Sequence, residues 1–143
     1  MPVTPREVFD LIASGVEVTV ERSNSRCFAD KDYEAAGAVL TDKSWQSAPL
    51  STVVLGLKEL NESATPIAHT HIYFSHTFKG QDGAQHTLSR FFRGGGKIYD
   101  LEYFSIVVIL LSRILIAGIL LLFPGRNKTI LFINLIHQFI LFF

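Results

Sequence analysis

The apolar positions of the first hundred residues change period several times, and each change marks an element. In "TPREVFDLIASG" (4–15), Val8, Leu11 and Ile12 recur at helical spacing. Thr4 suits the N-cap, Pro5 the first helical position, Glu7 the far end of a capping box and Gly15 a C-terminal stop. "VEVTVE" (16–21) alternates with period two, the pattern of a strand with one buried face. "DKDYEAAG" (30–37) predicts a short helix capped by Asp30 and ended by Gly37, and "AVL" (38–40) a short strand. "STVVLGLK" (51–58) is a nearly unbroken apolar run, suited to a strand covered on both faces. "HIYFS" (71–75) predicts the next strand, and "GAQHTLSRFF" (83–92) a helix with Leu88, Phe91 and Phe92 inward. "GGG" (94–96) predicts a turn and "KIYDLE" (97–102) a last strand. Helices alternating with strands imply an α/β sheet, mainly parallel. Only "MPV" precedes the first helix, too little for the strand expected to feed it, so the sheet is expected to lack its first strand.

Beyond Tyr103 the alternation stops. Residues 104–123, "FSIVVILLSRILIAGILLLF", form a 20-residue run in which fifteen are Val, Ile, Leu or Phe. That length matches a helix crossing a hydrocarbon layer of about 30 Å. Fifteen such residues favour insertion by roughly 5–9 kcal/mol, and Arg113 at the centre opposes it by roughly 2.5–3.5 kcal/mol. "PGRNK" then breaks the run, and "TILFINLIHQFILFF" is short for a second span. The expectation is therefore a domain over 1–103 and an apolar helical tail over 104–143, with 104–123 as the candidate span. A second origin fits the same residues. Ile, Leu and Phe supply 23 of residues 105–143, the vocabulary of AT-rich codons. On that ground a misjoined continuation is favoured over a selected anchor.

Charge follows the same division. Residues 1–103 hold all thirteen acids and ten of the thirteen Lys and Arg, a net charge of −3. Neither part carries the basic excess of a nucleic-acid binder. The single cysteine, Cys27, excludes an internal disulfide and fits a reducing compartment. No basic start followed by an apolar core marks a signal peptide, so the sequons at Asn61 and Asn127 are read as chance.

Four residues with useful chemistry sit at or just past predicted strand ends: Lys58 and Glu59 after "VVLGL", His76 after "HIYFS", and Glu102 closing "KIYDLE". Open α/β sheets bind ligands at the carboxyl ends of their strands. If these strands are parallel neighbours, a Lys, a His and two carboxylates converge into a proton-transfer set, the acids tuning the bases. The competing reading is that they are solvated strand-end charges. His69 and His71 share a strand face, but no third ligand at persuasive spacing accompanies them, so a structural or substrate-edge role is favoured over a metal. The "GGG" run precedes a strand and is not a dinucleotide fingerprint, and no G-x-G-x-x-G occurs. Trp45 in "KSWQSAP" reads as a packing or turn residue.

The segments "VTPREVFDLIASGVEVTVERS", "KSWQSAP", "VVLGLKEL", "HTHIYFSHTFKGQDG" and "LSRFFRGGGKIYDLEYF" together resemble the fungal lysine-forming saccharopine dehydrogenases, which group with the alanine dehydrogenase and transhydrogenase N-terminal domains. The resemblance runs in continuous order over about residues 3–104. It implies an incomplete Rossmann-like fold, a cytoplasmic setting, and the last step of the α-aminoadipate route. There saccharopine is oxidised by NAD to an imine, whose hydrolysis gives lysine and 2-oxoglutarate. By that resemblance Lys58 takes the amine proton, His76 serves water addition and carbinolamine collapse, and Glu59 and Glu102 neutralise and tune the pair. The family's preceding strand, its substrate arginines and its nucleotide-binding domain have no counterpart in the matched residues. The chain alone is therefore expected not to turn over saccharopine. A membrane-anchored binding protein reusing the domain, and a subunit completed in trans, are the other expectations.

Overall fold

The computed structural model of the chain describes residues 3–57, 60–101 and 128–132. Helix α1 spans Pro5–Ala13 and opens as its sequence requires. The Thr4 amide donates to Glu7 Oε2 at 2.7 Å, and the Glu7 amide donates to Thr4 Oγ1 at 3.4 Å. A cap of this kind stabilises a helix by about 1 kcal/mol. Val8 and Leu11 are fully buried, and Gly15, at φ +86°, turns the chain into β1, Val16–Glu21. Helix α2 is Asp30–Ala35. Its N-cap is Ala29 and not the expected Asp30, because Asp32 reaches back to accept the Ala29 amide at 3.0 Å. Buried Tyr33 donates its hydroxyl to the Val3 carbonyl at 2.9 Å, tying α2 to the segment before α1.

The remaining elements follow the predicted order with shorter bounds: β2 Val39–Thr41, β3 Val53–Leu55, β4 Thr70–Tyr73, α3 Ala84–Gly94 and β5 Lys97–Asp100. Two single-turn 3-10 helices, Trp45–Ser47 and Thr77–Lys79, interrupt the connections. The first of the three glycines expected to form a turn, Gly94, is the last residue of α3.

All strands pair in parallel, in the order β2-β1-β6-β3-β4-β5. The strand β6 is Lys128–Phe132, from the apolar tail. It runs beside β1 from Val16↔Lys128 to Val20↔Phe132, and beside β3 from Val53↔Ile130 to Leu55↔Phe132. The expectation of a helical tail is corrected here, since its described part is a central strand. A run of "TILF" satisfies helix and strand patterns alike, and two parallel strand edges with unpaired amides and carbonyls favour the strand. The predicted membrane span, 104–123, lies outside the described residues. Among the described residues no helix is long and apolar enough to cross a membrane.

The core lies on both faces of the sheet, as in other covered parallel sheets. On one face Val16, Val18, Val20, Val53, Leu55 and Ile72 pack with Val8 and Leu11 of α1 and Tyr33 of α2. On the other, Val54 and Tyr73 pack with Trp45, Ile67 and Phe91 of α3. The continuous apolar run of β3 serves both faces at once.

Candidate functional site

The strands β3, β4 and β5 are adjacent and parallel, so their carboxyl ends open side by side. The β3–β4 association continues past the ladder. The Gly56 amide donates to the Ile72 carbonyl at 3.0 Å, and the Phe74 amide to the Leu57 carbonyl at 3.4 Å. Lys58, Glu59 and Glu102 lie outside the described residues. Their described neighbours do not: Leu57 is bonded to Phe74, Leu60 lines a cleft at this end of the sheet, and Leu101 is buried at the end of β5.

That cleft, of about 430 Å³, holds His76, together with Ser75, Thr77, Glu62, Asp82, His86 and Arg90. Half-buried His76 has φ +53° and ψ +8°, the left-handed region. No other non-glycine among the described residues has a positive φ. Such a conformation costs about 1–3 kcal/mol and persists where the surroundings hold it. Here its two neighbours are held. Buried Asp100 accepts the Ser75 amide at 3.3 Å and the Ser75 hydroxyl at 2.8 Å, and the hydroxyls of Ser75 and Thr77 lie 2.8 Å apart. The connection Gly80–Gly83, with both glycines at positive φ, then turns the chain into α3.

The opposite wall is strapped to α3. Arg90 is 3% exposed and donates from Nε to the Thr65 carbonyl and from Nη1 to the Asn61 carbonyl, both at 3.0 Å. Arg93 donates to the Ala64 carbonyl at 3.0 Å. Burial pushes the Arg90 guanidinium below its ordinary value. The Ile67 amide donates to the Arg90 carbonyl, and the Gly96 amide to the Ile67 carbonyl, each at 3.0 Å. A Cβ on Gly94 would stand 2.2 Å from the Ile67 carbonyl oxygen, and one on Gly96 2.4 Å from it. Two glycines of the run thus permit a backbone-to-backbone approach.

This strap corrects the predicted inward face of α3. Phe91 is buried, but Phe92 is 90% exposed, and Arg90 takes an inward place because its hydrogen bonds to the loop carbonyls fix the helix rotation. His69 and His71 belong to an aromatic cluster behind the site. His69 Nε2 donates to the Ala48 carbonyl at 3.0 Å. The His71 ring lies edge-on to Trp45 at 4.6 Å and Phe91 at 5.2 Å. Burial, then the nearby His69 and Arg90, push His71 down to about 3. Trp45 is thereby a packing residue, as its sequence context suggests.

Sequence reasoning missed Asp100, Ser75, Thr77 and Arg90. Two of them left a signal: Asp100 interrupts a core strand, and Arg90 sits inside the apolar stretch "LSRFF". Ser75 gains its role from a partner on another strand, and Thr77 gains its role only through Ser75, so neither leaves a local pattern.

Residues 1–107 match the family model "Alanine dehydrogenase/PNT, N-terminal domain". The chain is similar to "Saccharopine dehydrogenase [NAD(+), L-lysine-forming]" of Neurospora crassa, 45% identical over 102 residues, which is 71% of this chain and 27% of that protein. The protein of the same name from Schizosaccharomyces pombe is 44% identical over 103 residues, 71% of this chain and 28% of its own. That from Emericella nidulans is 46% identical over 105 residues, 72% of this chain and 28% of its own. The chain therefore spans just over a quarter of the length of these relatives.

The names of these relatives include NAD. Among the described residues, the β1–α2 connection contains no glycine, and Gly94–Gly96 leads from a helix to a strand. The β4–α3 connection has Gly80 and Gly83, but its cleft carries Glu62 and Asp82, and the guanidinium of Arg90 there already donates to the Thr65 and Asn61 carbonyls. The described residues do not fit a dinucleotide.

Proposed function

Because the chain belongs to the family of the alanine dehydrogenase/PNT N-terminal domain, we propose that it carries part of the substrate side of a saccharopine dehydrogenase. Its ligand is saccharopine or lysine, bound in the cleft beside His76. The observation that carries this reading is a half-buried histidine in left-handed backbone, lining a strand-end cleft in a chain that is 44–46% identical to those dehydrogenases. Lys58 and His76 are the proposed proton-transfer pair. Lys58 accepts a proton from the substrate's secondary amine, and His76 moves the protons of water addition and carbinolamine collapse. Glu59 and Glu102 balance the charge of that pair and set its pKa values.

NAD would supply hydride acceptance in a complete enzyme, and no step is assigned to it here because the described residues do not fit it. The proposal is therefore binding and proton handling without turnover. The kinship supports a cytoplasmic, lysine-biosynthetic setting. The membrane-anchored alternative depends on residues 104–123, which lie outside the described residues.

Titration of the full chain with saccharopine, followed by calorimetry and by the histidine signals in NMR, tests the reading. The expected result is saturable binding that moves the His76 signals and is lost in Lys58→Met. Absence of binding up to about 1 mM, an affinity of about −4 kcal/mol, would overturn it. Formation of NADH by the chain alone would overturn the absence of turnover.

A further inference from the structure

We propose that Asp100, acting through Ser75 and Thr77, is the positioning residue that holds His76 in the cleft. The inference rests on the role assigned to His76 above. The residue before His76 is fastened to a buried carboxylate, the residue after it is fastened to that same serine's hydroxyl, and the histidine between them takes the left-handed conformation. The hydrogen-bond directions follow from the chemistry. An ionised Asp100 only accepts, so Ser75 Oγ–H donates to it at 2.8 Å. Ser75 Oγ is then left to accept, so the Thr77 hydroxyl donates to Ser75 at 2.8 Å, and the Thr77 amide points to the same oxygen at 3.4 Å. Ser75, Thr77 and Asp100 are all buried, so water does not compete for these groups.

The register supplies the anchor. Tyr73↔Asp100 is the last pair of the β4–β5 ladder, so Asp100 stands on a rigid strand end just where β4 becomes a loop. The chain from Ser75 to Thr77 is thereby closed into a short arch over the carboxylate, with His76 at its crown. Left-handed backbone in a non-glycine residue relaxes unless its flanks are fixed. One flank is fixed here by Asp100 from another strand and the other by the serine so anchored, and the crown faces the cleft. If Asp100 only satisfied the Ser75 amide, the Thr77 hydroxyl would have no part in it, and changes there would leave His76 unaltered.

The test uses the full chain, with its five histidines labelled and the His76 signals identified by their loss in His76→Gln. Ser75→Ala and Thr77→Val each cut the arch while leaving the Asp100 charge in place. Each is expected to speed hydrogen exchange at the Thr77 amide at least tenfold and to shift and broaden the His76 ring signals. Thr77→Ser keeps the hydroxyl and is expected to retain the parent spectrum. Asp100→Asn is expected to behave as Ser75→Ala. If it fails to fold, the contrast between Thr77→Val and Thr77→Ser decides the matter. Unchanged His76 signals and Thr77 exchange in both Ser75→Ala and Thr77→Val would overturn the proposal. Adding saccharopine to the parent chain separates the two ideas. If the arch behaves as expected but saccharopine leaves His76 unmoved, the functional reading fails and the positioning role stands. If saccharopine moves His76 but the arch variants do not, the positioning role fails alone.

Discussion

Replacing Leu131 by proline tests whether the tail strand holds the sheet together. Leu131 pairs with Thr19 on β1 and with Val54 on β3. Backbone groups of successive strand residues point to alternate sides, and β6 has a partner on each. The Leu131 amide therefore falls in a ladder whichever side it faces. Proline removes that donor and leaves a buried carbonyl unpaired, at about 1–3 kcal/mol, and its ring disturbs the pairing further. Central strands hardly admit proline, so a total of about 3 kcal/mol or more is expected. Domains of this size are held by only about 5–15 kcal/mol. Urea unfolding followed by the fluorescence of Trp45, the single tryptophan, and by circular dichroism reads the effect. With a slope of about 1–3 kcal/mol per molar urea, the midpoint should fall by roughly 1–3 M. Lys128 pairs with β1 alone and opens the strand, so Lys128→Pro should cost far less. A Leu131→Pro chain with the parent midpoint would refute the placement of β6.

Two further perturbations follow from the site. His71 is held neutral in its aromatic cluster, with its pKa pushed down to about 3 from 6.5. The unfolded chain binds a proton there below pH 6.5 and the folded chain does not. Stability should thus fall by up to about 1.4 kcal/mol per unit as pH drops from about 6.5 towards 3. Urea midpoints measured across that range should decline less steeply in His71→Phe, and parallel slopes would contradict the assignment. Gly94→Ala brings a methyl group against the Ile67 backbone and should cost about 2–3 kcal/mol, whereas Gly95→Ala, in open space at φ +73°, should cost about 1 kcal/mol in thermal unfolding.

The fold is legible in the sequence where one element contains its own explanation. The capping box of α1 is one case, and the period-two run of β1 another. The double-faced apolar run of β3 likewise matches its central place in a parallel sheet. What escaped depends on partners distant in sequence. The inward turn of Arg90 is set by carbonyls some 25–29 residues earlier, and the Ser75–Asp100 pair is separated by 25 residues. The tail strand is the strongest example. "KTILF" is compatible with a helix, and only the gap between β1 and β3 makes it a strand. Of the four strand-end residues picked out for chemistry, His76 is placed in a cleft, while Lys58, Glu59 and Glu102 fall outside the described residues.

The position of β6 also bears on how the chain comes to be folded. β1 and β3 never pair with each other; each pairs with a segment that follows Leu55 by more than half the length of the chain. At 5–20 residues per second, the ribosome delivers Lys128 roughly 4–15 s after Leu55. During that interval two parallel strand edges stand open with no intramolecular partner between them, the circumstance in which nascent chains engage chaperones or one another. Closing the sheet requires contacts of long sequence separation, so the final step is slow and follows synthesis of the apolar stretch. The strand β6 thus enters a sheet whose other described strands precede it in synthesis, and the yield of folded protein depends on its arrival.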